Sequence, residues 1–378
     1  MTATPRSMRW LRRLKAAYLL AMTLALGGLA AEVWCRRAFR AKVFAAEAFR
    51  RQHTNAFDGR QTIDVWAESV WLKRWDSYKP NAHLELRLGG HQIRVDINGL
   101  GFRTREFSPK KARGLIRVLC IGGSTTVQGL TNDTTYPAVL ERRLQDHHPE
   151  LDIEVLNLGI SGIASAYWPE RGFPFLDFQP DIVVQYEGVN DLLNVHLPRW
   201  AAHHPLERWL RASLVVQRLH PLPGDALDQG IASTIRNIAA VSSACRSRGV
   251  QHVVGTFASP EASRASAEMR AFLDVNLQQD WTSGPLALSQ YSTYERLLAR
   301  LNRAIAQAAA PSGYRVAPVA DRLRAPEDFV DICHMTPDGI AALAEAFLPE
   351  VDRALASVAA ASTSRGTASR SQGEDATR

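Results

Sequence analysis

Ile116-Arg117-Val118-Leu119-Cys120-Ile121-Gly122-Gly123-Ser124-Thr125-Thr126 is the stretch that decides the fold. A short apolar run, Ile116–Ile121, is delivered straight into two glycines and a row of hydroxyls. Runs of this length closed by turn residues are buried strands, and the residues that follow have helical spacing. Working outward, the pattern repeats. Tyr136–His148 is helical, Ile153–Leu156 is a second strand, and Pro180-Asp181 introduces a third at Ile182–Tyr186. A helix over about Ala226–Arg248 leads through Gly249 into a fourth strand, Val250–Gly255. Leu297, Leu298, Leu301 and Ile305 keep helical spacing before a fifth strand at Tyr314–Ala317. A last helix carries Ile340, Leu343, Phe347, Val351 and Leu355 on one face, with Thr336 as its N-cap and Pro337 at its first position. Strand and helix in alternation predict a parallel sheet covered on both faces. Residues 257–290 have weak periodicity and read as an insertion over the sheet's functional end.

The 378 residues carry a net charge of +7, which invites a nucleic-acid reading until the charge is located. Residues 1–42 hold nine basic groups and one acid, Glu32, so everything after residue 42 sums to −1. The basicity flanks an uncharged run, Ala16–Ala31, and the globular part is neutral, which argues against a nucleic-acid footprint. At 1.5 Å per residue the run spans about 24 Å, against a hydrocarbon core of roughly 30 Å, with Trp10 and Trp34 placed as interfacial anchors. An uncleaved membrane anchor is the favoured reading. A cleaved signal peptide, with Gly28-Leu29-Ala30 as a small-x-small site, is the alternative. Either exports the rest of the chain, and the charge balance favours an inward N-terminus. Cys35 follows the bulky Trp34, which argues against lipidation there. Cys120, Cys245 and Cys333 are scattered without metal spacing, so buried free thiols are expected, with a Cys120–Cys333 pair as the exported-protein alternative.

Residues 43–75 read as a helix leaving the membrane, punctuated by Trp66, Trp71 and Trp75. Leu84, Leu86 and Leu88, then Gly89-Gly90, then Ile93, Val95 and Ile97 read as a β-hairpin. This module is either a small accessory unit or an extra edge for the main sheet. The expected organisation is an N-terminal tip and anchor (1–42), a helix and hairpin module (43–113), an α/β domain (114–358) and a Ser/Thr/Ala/Arg-rich disordered tail (359–378).

In open α/β sheets ligands bind beyond the carboxyl ends of the strands. Three such ends carry polar motifs here: Gly122-Gly123-Ser124, Asn157-Leu158-Gly159-Ile160-Ser161-Gly162, and Gly188-Val189-Asn190-Asp191. Asp331-Ile332-Cys333-His334 follows near the domain's end. Each has a structural explanation alone, as a cap, a turn or a loop pair. Together they supply a nucleophilic hydroxyl, a backbone N–H, an amide donor and a carboxylate–imidazole pair. Cys333 is flanked by His334 instead of facing it, so Ser124 has the better context for a nucleophile. His147-His148 and His203-His204 are adjacent pairs without ligand spacing. Trp168 and Trp281 line either a substrate groove or the core.

Over residues 115–355 these motifs resemble the SGNH hydrolases, also called GDSL esterases and lipases. The resemblance rests on Ser124 in Gly-Gly-Ser, a glycine in Asn157–Gly162, Asn190 in Gly-Val-Asn-Asp, and Asp331-x-x-His334 followed by Met-Thr-Pro-Asp-Gly. Gly123 departs from the family's frequent Asp. The resemblance implies a three-layer α/β/α, flavodoxin-like fold with about five parallel strands. It also implies a Ser124–His334–Asp331 triad and an oxyanion hole from Ser124, Gly162 and Asn190, with Gly162 preferred to Gly159. No cofactor or metal is implied. The expected partners are an acyl-ester substrate, glycan or lipid, and the membrane. Three functions stay open: an esterase acting on an envelope glycan or lipid, an O-acyltransferase using the same triad, and a non-catalytic carbohydrate-binding module.

Overall fold

The computed structural model describes residues 5–52, 67–68, 76–88, 91–170, 174–282 and 284–375. The chain opens with one long helix, α1 (Pro5–Gln52). By length and composition it can cross a membrane, and none of its most apolar stretch is buried by protein. Its later turns behave differently. Ala46 is buried, Phe39 and Val43 pack against the same core, and Lys42 pairs with Asp274. The helix predicted over 43–75 therefore ends by residue 52. Ala67–Glu68 (β1) instead pairs antiparallel with Asp76–Ser77 (β2), while Trp66, Trp71 and Trp75 lie outside the described residues.

The hairpin forms as expected from the alternation. His83–Leu88 (β3) pairs with His91–Asp96 (β4), setting Leu84 opposite Val95 and Leu86 opposite Ile93; the Gly89-Gly90 turn is outside the described residues. It is a separate two-stranded sheet and adds no edge to the main one.

The main sheet has five parallel strands, β5 (Ile116–Gly122), β6 (Ile153–Asn157), β7 (Ile182–Tyr186), β8 (Gln251–Gly255) and β9 (Arg315–Ala317), in the order β6-β5-β7-β8-β9. Near-continuous apolar strands are what a sheet covered on both faces requires. Val118 and Cys120 of β5 face the layer formed by α3 (Tyr136–His147) and α7 (Pro337–Asp375). Leu119 and Ile121 face Val241 and Cys245 of α4 (Asp228–Ser247). A further helix, α6 (Tyr291–Ser312), packs beside α4 and against β9. The expected faces are buried: Leu297, Leu298, Leu301 and Ile305 of α6, and Ile340, Leu343, Phe347, Val351 and Leu355 of α7. Each such side chain contributes about 1.5–3 kcal/mol of transfer free energy, so burial far outweighs propensity in holding these helices.

One boundary differs: helix α7 continues to Asp375, past 358 where a disordered tail was expected, the alanines at 359–361 letting the helix propagate beyond it. The insertion at 257–290 contains a regular helix, α5 (Ala267–Asn276), which runs into a π-wound turn, Leu277–Trp281. Its apolar side packs on α1.

Candidate active site

The strand order reverses at β5, whose neighbours β6 and β7 leave in opposite directions, so the loops at its carboxyl end diverge and leave a crevice. Ser124 stands there, opening a four-residue helix, α2 (Ser124–Val127), directly after the two glycines. Gly122 leaves no room for a side chain: a Cβ would lie 2.3 Å from Thr126 Oγ1 and 2.4 Å from the Tyr186 carbonyl oxygen.

The distant Asp331–His334 segment closes on this serine. His334 Nε2 is 2.8 Å from Ser124 Oγ, and His334 Nδ1 is 2.7 Å from Asp331 Oδ2. With Nδ1–H donated to the carboxylate, Nε2 is left as the acceptor for the serine hydroxyl. The other Asp331 oxygen accepts from the backbone N–H of Cys333 at 2.8 Å and of His334 at 2.6 Å. Burial alone would raise the Asp331 pKa, but the imidazole and these two N–H groups outweigh it and hold the carboxyl below its ordinary range. The loop is closed by a bridge between Phe329 and Met335 and pinned to α7, where Thr336 caps the first turn through Gly339 N–H at 3.2 Å. Gly339 of Met-Thr-Pro-Asp-Gly is required there, since a Cβ would meet the Asp328 carbonyl oxygen at 2.1 Å.

A profile of the GDSL-like lipase/acylhydrolase family matches residues 120–342. The chain belongs to this family, the SGNH hydrolases. No curated protein matches it in sequence. Among solved structures it is similar to an acetyl xylan esterase variant from Geobacillus stearothermophilus (18% identity, 65% of this chain and 97% of that one, TM-score 0.40). It is also similar to TesA (18%, 63% and 99%, 0.39) and to LAE5 from the metagenome of Lake Arreo (17%, 62% and 94%, 0.39).

In the hydrolase, Asn190 is held with its amide nitrogen toward the serine loop. Its Nδ2 donates to the Ile163 carbonyl oxygen at 2.8 Å, and its Oδ1 accepts from Asn194 Nδ2 at 2.7 Å, which fixes the orientation of the amide. A Cβ on Gly123 would sit 3.1 Å from Asn190 Nδ2, so the glycine that replaces the family's frequent Asp lies directly beneath this amide. One amide hydrogen is committed to Ile163, and the second remains for a ligand. The two candidate glycines differ in their surroundings. Gly159 N–H is taken by Asn157 Oδ1 at 2.9 Å, and a Cβ there would press on Thr126 and Val127. Gly162 turns the chain at φ +80°, a conformation open to glycine.

The remaining candidates separate cleanly. All four cysteines are free, so Cys120 and Cys333 form no disulfide. Burial and the neighbouring Asp331 charge push the Cys333 thiol well above its ordinary pKa, leaving it neutral beside His334. Asp331, Cys333 and His334 lie close enough to share a cation. Both imidazole nitrogens and the carboxylate are already committed to hydrogen bonds, however, and a protonated thiol is a poor ligand. Trp168 is core, fully buried with its indole N–H on Glu187. Trp281 is site-lining, with its ring 5.7 Å from that of His334.

Several supporting residues had no signature in the sequence. Gln128 accepts from Met335 N–H at 3.1 Å and steadies the histidine loop from α2. Tyr78, from the N-terminal module, accepts from Ser161 N–H at 2.8 Å, next to Gly162. Buried Arg103 donates to the carbonyl oxygens of Val127 at 2.8 Å and Gly129 at 2.9 Å, clamping the end of α2. Desolvation lowers its pKa to about 10. The Asn98–Phe102 turn, whose Gly101 carbonyl oxygen accepts from Tyr78 N–H at 2.9 Å and which leads directly into Arg103, is thus the platform for two braces on the serine and glycine loops. Asn194 alone left a trace, four residues after Asn190 on the same helical face.

Proposed function

We propose that this SGNH hydrolase is a membrane-anchored serine esterase that removes acyl or acetyl groups from an envelope glycan or lipid outside the cytoplasmic membrane. The single observation that carries the reading is the unbroken chain Ser124 Oγ–His334–Asp331, buried at the crevice of the sheet. In it, His334 takes the serine proton as Oγ attacks the ester carbonyl, and Asp331 holds the imidazole and stabilises its cationic form. The tetrahedral oxyanion is met by the N–H groups of Ser124 and Gly162 and the second amide hydrogen of Asn190. His334 then protonates the leaving alcohol, and water, activated by the same imidazole, releases the acyl group from Ser124.

The test is turnover of short-chain nitrophenyl esters by the detergent-solubilised full chain, with and without sugar acceptors. Ser124→Ala abolishes turnover and labelling by a fluorophosphonate while the protein stays folded, and Cys333→Ser remains active. A dead Cys333→Ser beside a labelled Ser124→Ala reverses the assignment. Acyl transfer to an added sugar at the expense of hydrolysis converts the reading to an O-acyltransferase. Orientation is tested separately: alkaline phosphatase fused after residue 113 is active and stays with the membrane fraction. Activity from a cytoplasmic reporter alone at that position refutes export.

A further inference from the structure

The catalytic domain gathers its exposed apolar surface in one segment. Beyond Phe44, the exposed large apolar side chains among the described residues are Leu206, Trp209 and Leu219, at 68%, 73% and 79% exposure. They stand on two consecutive short helices, Pro205–Leu210 and Leu214–Leu219. Single exposed apolar residues are ordinary on a protein surface, whereas three drawn from one short segment mark a contact surface.

What covers this surface follows from where it is fastened. Glu32, the first charge after the apolar run of α1, accepts from Ser213 Oγ at 2.7 Å, Leu214 N–H at 3.2 Å and Val215 N–H at 3.1 Å. Its carboxylate thereby caps the start of the helix that carries Leu219. Arg36 donates to the Ala212 carbonyl oxygen at 3.4 Å, and the Arg218 guanidinium lies 5.7 Å from the centre of the Trp34 ring. Residues 212–218 are therefore held at the level where the apolar run of α1 ends. They cannot swing away, because Phe39, Val43 and Ala46 lock the next turns of α1 into the domain core. The exposed charges nearby are basic, Arg36, Arg37, Arg208 and Arg218, while the acids Glu32 and Glu207 are half-buried and paired, Glu32 with Arg36 and Glu207 with Arg211 and His220. Exposed Trp and Leu among arginines, level with the end of a spanning helix, is the chemistry of the bilayer interface, where rings and stems sit among headgroups and guanidinium groups meet anionic lipid. It also answers a mismatch, since the run Ala16–Ala31 spans about 24 Å of a core of roughly 30 Å, and a domain sunk into the interface narrows that gap.

We propose that residues 205–219 are a second membrane contact, in which Leu206, Trp209 and Leu219 insert into the interfacial layer of the bilayer that α1 crosses. The domain is then seated on the membrane at fixed height and tilt instead of hanging from a tether. The inference rests on the reading of α1 as an uncleaved anchor.

The experiment uses the full chain with Cys35→Ala, reconstituted in vesicles of phosphatidylethanolamine and phosphatidylglycerol. An environment-sensitive fluorophore is placed at Trp209→Cys, at Leu219→Cys, and at Gln307→Cys on an exposed part of α6 as the reference. Turnover of a soluble ester confirms that each labelled chain is folded. The expected result is a blue-shifted emission at 209 and 219, quenched several-fold more by a nitroxide on the upper acyl chain than by aqueous iodide, with the order reversed at 307. Labels at 209 and 219 that iodide reaches as readily as at 307, on a chain that resists alkaline extraction, overturn the second contact and leave the anchor standing. Labels shielded from both quenchers show that a second copy or another protein covers the surface, and this also overturns the proposal. A chain washed off the vesicles by alkali removes the anchor reading, and the membrane contact falls with it.

Discussion

Asp331→Asn isolates the contribution of the carboxylate without disturbing the loop that carries it. In the native loop one Asp331 oxygen accepts two backbone N–H groups, from Cys333 and His334, and the other accepts His334 Nδ1–H. An asparagine keeps its Oδ1 on the two N–H donors, because abandoning them would leave both buried and unsatisfied at about 1–3 kcal/mol each. Its Nδ2 then faces His334 Nδ1. Two donors cannot share a hydrogen bond, so the imidazole proton moves to Nε2, which now donates to Ser124 Oγ when it should accept from it. The base is present in the wrong tautomer. Loss of this kind costs about 10⁴ in turnover in a serine triad, or roughly 5.4 kcal/mol of barrier. The melting temperature barely moves, since volume and both backbone bonds are kept, whereas Asp331→Ala, which frees those N–H groups, melts lower. The assay is turnover of a soluble nitrophenyl ester beside a thermal melt and the rate of fluorophosphonate labelling. An Asp331→Asn enzyme within tenfold of wild type at neutral pH refutes the role assigned to this carboxylate.

Two further outcomes are expected. Asn190→Ala lowers turnover by roughly 10²–10³ with little change in KM, because one oxyanion donor is lost and the nucleophile stays; a loss below about threefold removes Asn190 from the oxyanion hole. Glu187 is held in the core, where burial first and the Asp191 charge second raise its pKa from 4.5 to about 8 against hydrogen bonds from Gln185 and Trp168. The folded state then binds the proton that the unfolded chain releases, so stability falls as pH climbs from about 4.5 to about 8. Glu187→Gln removes that dependence and gains on wild type toward pH 8, on the order of a few kcal/mol in denaturant unfolding. A gap between the two proteins that is equal at both ends of the window would show that Glu187 does not titrate there.

Much of this architecture is written locally. Short apolar runs bounded by glycine or proline marked all five strands of the main sheet, and their order along the chain placed Ser124, Gly162 and Asn190 at carboxyl ends. Asp331 and His334 are three residues apart, so one tight loop joins them wherever the rest of the chain goes. Such signals survive because period, turn chemistry and short-range hydrogen bonds depend only on neighbours in sequence. The failures were of another kind. The run 257–290 read as an insertion over the functional end, with Trp281 as one of two groove candidates, but nothing in it announced that α5 would pack on α1, since a weakly periodic helix gives no sign of which surfaces it joins. The helix expected over 43–75 gave way to paired strands after residue 66, because alanine-rich composition describes propensity and not the partner that overrides it.

By itself, then, the sequence determined the alternation of strand and helix, the candidate nucleophile and the two residues proposed to serve it, and the separation of a basic, apolar N-terminus from a neutral body. Only tertiary structure decided that Ser124 Oγ and His334 Nε2, 210 residues apart, meet at 2.8 Å, and that Tyr78 and Arg103 brace the loops on either side of them. It alone fixed which end of the Asn190 amide faces the serine, and set residues 212–218 against the end of the apolar helix. The physical reason is common to all of these: hydrogen bonds between residues far apart in the chain are positioned by the packing of whole elements, and an apolar period records that a face is buried without recording what buries it.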